Sequence, residues 1–528
     1  MSALVRKEVR SLVPPGVLAM VLATLPVWVA WPGGASLLAA DLGYKVYAPF
    51  ALGILLLSLT PFGQELNWGT FSVLLSQPIP RARIWRTKTL LLAGALLLVF
   101  AAFLVSNRLR VDMAIQAAQS TEWRSLLQRP GGDAQLVSMI AYVRHEVFIG
   151  SVLIGGLAAT AGFAGGLWTP LLFRQVSAAF WFTLVVPMGL GLLTGQLLGD
   201  FSSPVGRTVT CAVIGLYSVG AYVWARRFFR EVQDTQWTGG VLSIPKLGAT
   251  GAQARVGRRA RRRVRTLLAK EMQAQYVNLL LAGGLLAIHL LAVVLRALNA
   301  NYLAVHRSMS MVLEAFPVLW LALPLLVGTV SIAEERKLGT FQTTSCLPVS
   351  RRLQFAIKLA LALVLGVFFG ALVPFLVERL GSLVGVSPTS LAFGSTRFDF
   401  AALAQNVVAA FGISLLGLYG SSLTNNTLQA LGSGILACMI GALLIVVTTR
   451  PPVVGGIFLW GPLLLAPVLV PIMAGCILAL SYSNYRRLHP GGQAWLRNGV
   501  VLLASLLGAT AVTSAVYHRV WEAWMPIE

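Results

Sequence analysis

Glu65-Leu66-Asn67-Trp68-Gly69-Thr70-Phe71 runs on to Ser76-Gln77-Pro78-Ile79-Pro80-Arg81 and then Lys88. At an offset of 270 the chain reads Glu335-Arg336-Lys337-Leu338-Gly339-Thr340-Phe341, then Cys346-Leu347-Pro348-Val349-Ser350-Arg351, then Lys358. Glu, Gly, Thr, Phe, Pro, Arg and Lys recur without a gap. Apolar composition alone does not yield identity at polar and special positions, so the block marks an internal duplication. The flanks agree. Lys7-Glu8 is matched by Lys270-Glu271, and Arg226-Arg227 by Arg486-Arg487, at offsets of 263 and 260. The small changes of offset place the length differences in connecting loops.

Outside this block the chain is apolar. Of its 528 residues 57% are hydrophobic and 11% charged, and the mean hydropathy is +0.77; soluble domains carry about 25% charged residues. Apolar runs near 13–31, 46–62, 89–106, 146–168, 178–198 and 208–225 make a first set. Runs near 277–296, 313–333, 356–377, 401–423, 428–448 and 456–480 make a second, and 498–516 stands alone. Many approach the ~20 residues that cross a bilayer as a helix, and backbone groups in lipid must bond internally, which requires helices here. The expected fold is an all-α integral membrane protein. An even number of spans returns the chain to its starting side, so the repeats are expected to be parallel six-helix units related about the membrane normal. The predicted divisions are a first repeat at 1–230, a basic linker at 231–263, a second repeat at 264–490, and a thirteenth span with a short external tail at 491–528.

A formal net charge of +23 raises the question of nucleic acid. With the N-terminus inside, 28 of the 41 Lys and Arg fall on the inner side with only 7 of the 18 Asp and Glu. That is the positive-inside distribution of a multi-pass protein of the inner (plasma) membrane, N-terminus cytoplasmic, and no nucleic-acid partner is expected. The densest run, Arg255 to Arg265, suits anionic lipid. Residues 3–12 and 264–275 each combine an apolar face with basic positions, Arg6 and Lys7 beside Glu8 in one, Lys270 beside Glu271 in the other. Both are predicted to be interfacial helices.

The repeated block lies between the second and third spans of each half. Gly69 and Gly339 suit a sharp turn, Thr70 and Thr340 a helix cap, and Pro78 and Pro348 a helix end. The expected product is a short, stiff helix projecting from the membrane, based on a glutamate at the end of a span. Glu65 and Glu335 are expected to pair with nearby basic or donor groups.

The pattern Glu-x-x-x-Gly-Thr, Leu-Leu-Ser-x-Pro, then Arg and Lys resembles the ABC-2-type permeases, the membrane subunits of type V ABC exporters. The match is Glu65, Gly69, Thr70, Leu74, Leu75, Ser76, Pro78, Arg81 and Lys88. The second copy keeps Glu335, Gly339, Thr340, Pro348, Arg351 and Lys358, but Leu-Leu-Ser becomes Thr344-Ser345-Cys346. The resemblance implies that these loops couple the membrane bundle to ATPase subunits, two of them, on separate chains. It also implies that one chain supplies both halves of an export pathway for a substrate the sequence does not reveal.

No Gly-x-x-x-x-Gly-Lys-[Ser/Thr] occurs, so ATP and Mg are expected in the partner, with no cofactor held by this chain. His145-Glu146 lacks the second histidine of a zinc-protease helix, no Gly-x-Ser-x-Gly is present, and Cys211, Cys346, Cys438 and Cys476 show no metal-ligand spacing. No catalytic or metal site is expected. His289, inside a span, is either a substrate contact or a hydrogen-bonded packing residue; Asn406 and Asn425 are further pathway candidates. An ion-coupled carrier, the further alternative, would show a cluster of charged residues at mid-bilayer depth, and the sequence shows none. The outer loop at 107–145 is either a gate or a plain connector.

Overall fold

Apolar runs that must satisfy their own backbone leave helices as the available element, and the computed structural model is helical over nearly all of its described residues. It describes residues 3–29, 42–121, 132–198, 204–231, 259–298, 316–346, 349–384, 400–449, 461–487 and 492–524. The first half holds α1 (Ala3–Val29), α2 (Leu42–Asn67), the short α3 (Phe71–Leu75), α4 (Arg81–Thr121), α5 (Gly132–Phe173), α6 (Val176–Leu198) and α7 (Pro204–Glu231). The second holds α8 (Arg259–Ala274), α9 (Tyr276–Leu298), α10 (Phe316–Lys337), the short α11 (Thr340–Ser345) and α12 (Arg351–Leu383). Then come α13 (Phe400–Leu423), α14 (Thr427–Thr449), α15 (Gly461–Tyr485) and α16 (Gly492–Trp524). Among the described residues nine helices are long and apolar enough to cross a membrane, the mark of a multi-pass membrane protein.

Close helix contact follows the small residues. At Gly166 on α5 a Cβ would lie 2.4 Å from the Ser58 Cβ on α2. At Gly328 on α10 it would lie 2.5 Å from the Ser414 carbonyl on α13, and at Gly417 on α13, 2.8 Å from the Leu325 carbonyl. No larger side chain fits these crossings unless the backbones separate. The second and fourth spans of each half therefore meet backbone to backbone.

The two halves share one apolar core. Leu22 on α1, Leu55, Leu56 and Leu59 on α2, and Phe180 and Trp181 on α6 pack with Leu285 on α9, Trp320 and Leu323 on α10, and Leu428 and Leu431 on α14. The first, second and fifth spans of one set thus face the first, second and fifth of the other.

One expectation needs correction, and two further segments are described in part. Residues 3–12 are not a separate interfacial helix, because α1 continues through them to Val29. Pro15 lacks the N–H that would bond the Ser11 carbonyl, and the Gln64 side-chain amide donates to that oxygen at 3.3 Å instead. In the second half the break is present, at Gln275 between α8 and α9. The region 107–145 is largely helix, since α4 extends to Thr121 and α5 begins at Gly132, with 122–131 outside the described residues. The linker at 231–263 is described only from Arg259, where α8 begins.

Candidate functional site: two buried ion clusters beneath two short helices

The charged residues of the repeated block and its flanks meet in space. In the first half Lys88, on α4, is buried and donates to Glu8 Oε2 at 2.8 Å and to the Pro61 carbonyl at 2.8 Å; Glu65 Oε1 lies 3.4 Å away. Lys7 donates to the same Glu65 oxygen at 2.7 Å. In the second half Lys358, on α12, donates to both Glu271 oxygens at 2.7 Å and to the Ser331 carbonyl at 3.1 Å, with Glu335 Oε2 at 3.1 Å. Lys270 reaches Glu335 Oε1. Each cluster has two lysines and two glutamates, so it is neutral as a set, and three helices supply it: the opening helix, the second span and the third. Burial pushes the Glu271 carboxyl above its ordinary value; Lys358 opposes this and Glu335 adds to it.

These clusters fix the base of the short helices. Gly69 and Gly339 adopt φ of +65° and +69°, the left-handed turn that favours glycine. Thr70 does not cap α3; its hydroxyl turns back to donate to Glu65 Oε2 at 2.6 Å. Likewise Gly339, not Thr340, precedes α11. The Thr344 hydroxyl accepts from Lys270 at 2.7 Å. On α3 Leu74 is buried and Leu75 half-buried, while Ser76 and Pro78 after it are exposed. Pro348 lies outside the described residues.

Aromatic rings pin each short helix to the end of its half. Phe71 contacts Phe229 edge-on at 6.4 Å and Trp85 lies 5.6 Å from Phe229. Phe341 contacts Tyr485 edge-on at 5.3 Å and Phe355 lies 5.4 Å from Tyr485. Arg81 donates to the Arg230 carbonyl at 2.6 Å, and Arg351 to the Arg486 carbonyl at 3.2 Å, each at the C-terminal end of the half's last helix. A cation there also suits the helix dipole.

The sequence reading missed Arg336. Its guanidinium donates to the carbonyls of Ser422 (2.7 Å), Thr424 (2.9 Å), Asn484 (3.2 Å) and Arg487 (3.2 Å), tying the ends of α13 and α15 to the base of α11. Burial pushes its pKa down to about 10, which leaves it charged at neutral pH. The first repeat has Leu66 at this position. Asn425, read from sequence as a pathway residue, is exposed in the bend that Arg336 clamps.

His289 is fully buried. Trp320 Nε1 donates to its Nδ1 at 3.1 Å, and its Nε2 lies 3.0 Å from Glu378 Oε1. An indole N–H only donates, so Nδ1 is the acceptor and the ring proton sits on Nε2, toward Glu378. Glu378, which hydropathy alone places beyond the span, is thus buried against a histidine of the neighbouring helix. A π-helical turn at Phe368–Leu372 in α12 lies just before it. Such a turn adds one residue and shifts the phase of the helix after it by about 100°. From Lys358 to Glu378 is about 30 Å along the helix, so this polar pair stands about one bilayer core from the ion cluster. Asn406 is partly buried on α13.

Among the described residues there is no group of His, Cys, Asp and Glu able to hold a metal ion. Compared with family models, curated proteins and solved structures, the chain matches none.

Proposed function

We propose that this chain is the membrane-spanning permease of an ATP-driven exporter of the ABC-2 type, built as two parallel six-helix repeats in one polypeptide. ATP hydrolysis would take place in two separate nucleotide-binding subunits, with ATP and Mg held there. The reading puts α3 and α11 in the cytoplasm, where the ATPase presses on them. The observation that carries it is the pair of matched ion clusters. A plain connector has no need of two buried lysine–glutamate sets at its base, each joining three helices. Force applied to either short helix passes through Glu65 or Glu335 into the opening helix and the third span. The two halves then move as rigid bodies about their shared core.

The test is a double substitution, Glu65→Gln with Glu335→Gln, in the chain reconstituted with its ATPase. The variant inserts and binds the ATPase, and hydrolysis no longer moves the bundle. Wild-type coupling in this variant would remove the role given to the two glutamates.

One observation favours a second reading, a protein that uses ATPase contacts to act mechanically on an external partner without moving solute. The midline between the halves is packed with apolar side chains. Cys438, partly buried against that core, separates the two. Under the exporter reading a water-soluble thiol reagent reaches Cys438 faster during ATP turnover. Under the mechanical reading its rate stays at the resting value.

A further inference from the structure

Helix α8 differs from its counterpart at the chain start. Its buried edge, Leu267 and Glu271, packs against α10 and α12. Beside that edge Val264 and Leu268, one turn apart, leave 40% and 43% of their surface uncovered. Arg265 between them is exposed, and the same helix carries arginine at 259, 261, 262 and 263. Open apolar side chains next to cations, on a helix that Gln275 separates from the following span, match the two chemistries of one ligand: an acyl chain and a negatively charged headgroup. A nucleic acid would use the arginines and leave Val264 and Leu268 in water. The first half offers only Arg6, Lys7 and Arg10, on a helix continuous with its span.

We propose that α8 is a binding site for an anionic phospholipid and that its occupancy sets the position of α11. The connection is short. Lys270 and Glu271 follow the arginines on the same helix. Lys270 holds Glu335 at the base of α11 and Thr344 within it, and Glu271 holds Lys358. A lipid that fixes the depth of α8 therefore fixes the base of one short helix and not the other. Binding is independent of any ATPase; only its consequence for coupling rests on the exporter reading.

The test uses the full chain in nanodiscs of phosphatidylcholine with increasing phosphatidylglycerol, with Cys211, Cys438 and Cys476 replaced by alanine. Two quantities are read: lipid retained in native mass spectrometry, and the alkylation rate of Cys346, exposed at the end of α11. Wild type retains phosphatidylglycerol over phosphatidylcholine, and the Cys346 rate changes as phosphatidylglycerol is added. Arg261→Gln with Arg262→Gln and Arg265→Gln lowers retention by at least roughly tenfold and removes the Cys346 response. Lysine at the same three positions preserves both. Arg6→Gln with Arg10→Gln leaves both within about twofold, since neither lies on α8 and exposed arginines elsewhere on the membrane surface act independently. Equal retention of the two lipids by wild type would overturn the proposal without reference to any variant. So would an unresponsive Cys346, an equal loss from the first-half substitutions, or preference for an RNA oligonucleotide over phosphatidylglycerol vesicles. None of these results bears on whether an ATPase binds.

Discussion

At the scale of single residues, the structure turns a repeated spelling into repeated chemistry. Lys88 and Lys358 are each about 1% exposed, with glutamate and backbone oxygen as their partners. Removing one member of such a pair strands a charge; removing both does not. Lys358→Met should therefore destabilise the second half by about 3–5 kcal/mol. Lys358→Met with Glu271→Gln should recover much of that loss, because Glu335 keeps Lys270. Thermal unfolding in detergent, treated as a double-mutant cycle, checks this. Additive losses would mean that the pair does not act as a unit. The glutamates and lysines were legible because both copies spell them alike. Arg336 was not, because its acceptors are backbone carbonyls, which leave no mark in sequence. The one clue was its substitution for Leu66 inside an otherwise repeated block. Arg336→Gln should increase amide hydrogen exchange where α13 and α15 end and leave the end of α7 unchanged; unchanged exchange at all three would deny the clamp.

At the scale of elements, turn and phase decide what a helix presents. Gly69 and Gly339 hold left-handed backbone, so alanine at either should cost about 1–2 kcal/mol locally. Faster proteolysis of the connection into α3 or α11 would register it, with asparagine milder than alanine. Equal protection in all variants would argue against a strained turn. The π-helical turn in α12 shows where reading by period stopped short. A hydropathy window closes the span at 377 and leaves Glu378 outside, yet the extra residue accompanies a carboxylate turned inward to His289. Glu378→Leu removes that acceptor and should cost about 1–3 kcal/mol in thermal stability, with Glu378→Gln closer to wild type. Equal stability of Leu and Gln would show that the hydrogen bond contributes little. The amphipathic patterns at 3–12 and 264–275 were legible in the sequence. Whether each bends away from its span was not, because that depended on Gln64 satisfying a carbonyl freed by Pro15.

At the scale of the whole molecule, the helical membrane architecture followed from length and hydropathy alone. Each apolar run overlaps a described helix, and several helices, α4 and α5 above all, extend well beyond their runs. What hydropathy could not supply is which helices meet across the midline, since every span is apolar on most sides. The halves also differ. Trp320 and His289 stand in the second, where the first has Phe50 stacked on Phe103 at 4.2 Å. The two matched clusters thus sit in unequal surroundings.

The central claim is that a nucleotide-hydrolysing protein grips both short helices. A photo-reactive amino acid placed at Val73 or at Thr343, both exposed on those helices, tests it in living cells. The account predicts that each position cross-links to a protein carrying Walker motifs, with ATP hydrolysis altering the yield. Cross-links only to lipid, or to proteins without nucleotide-binding motifs, from both positions would contradict it.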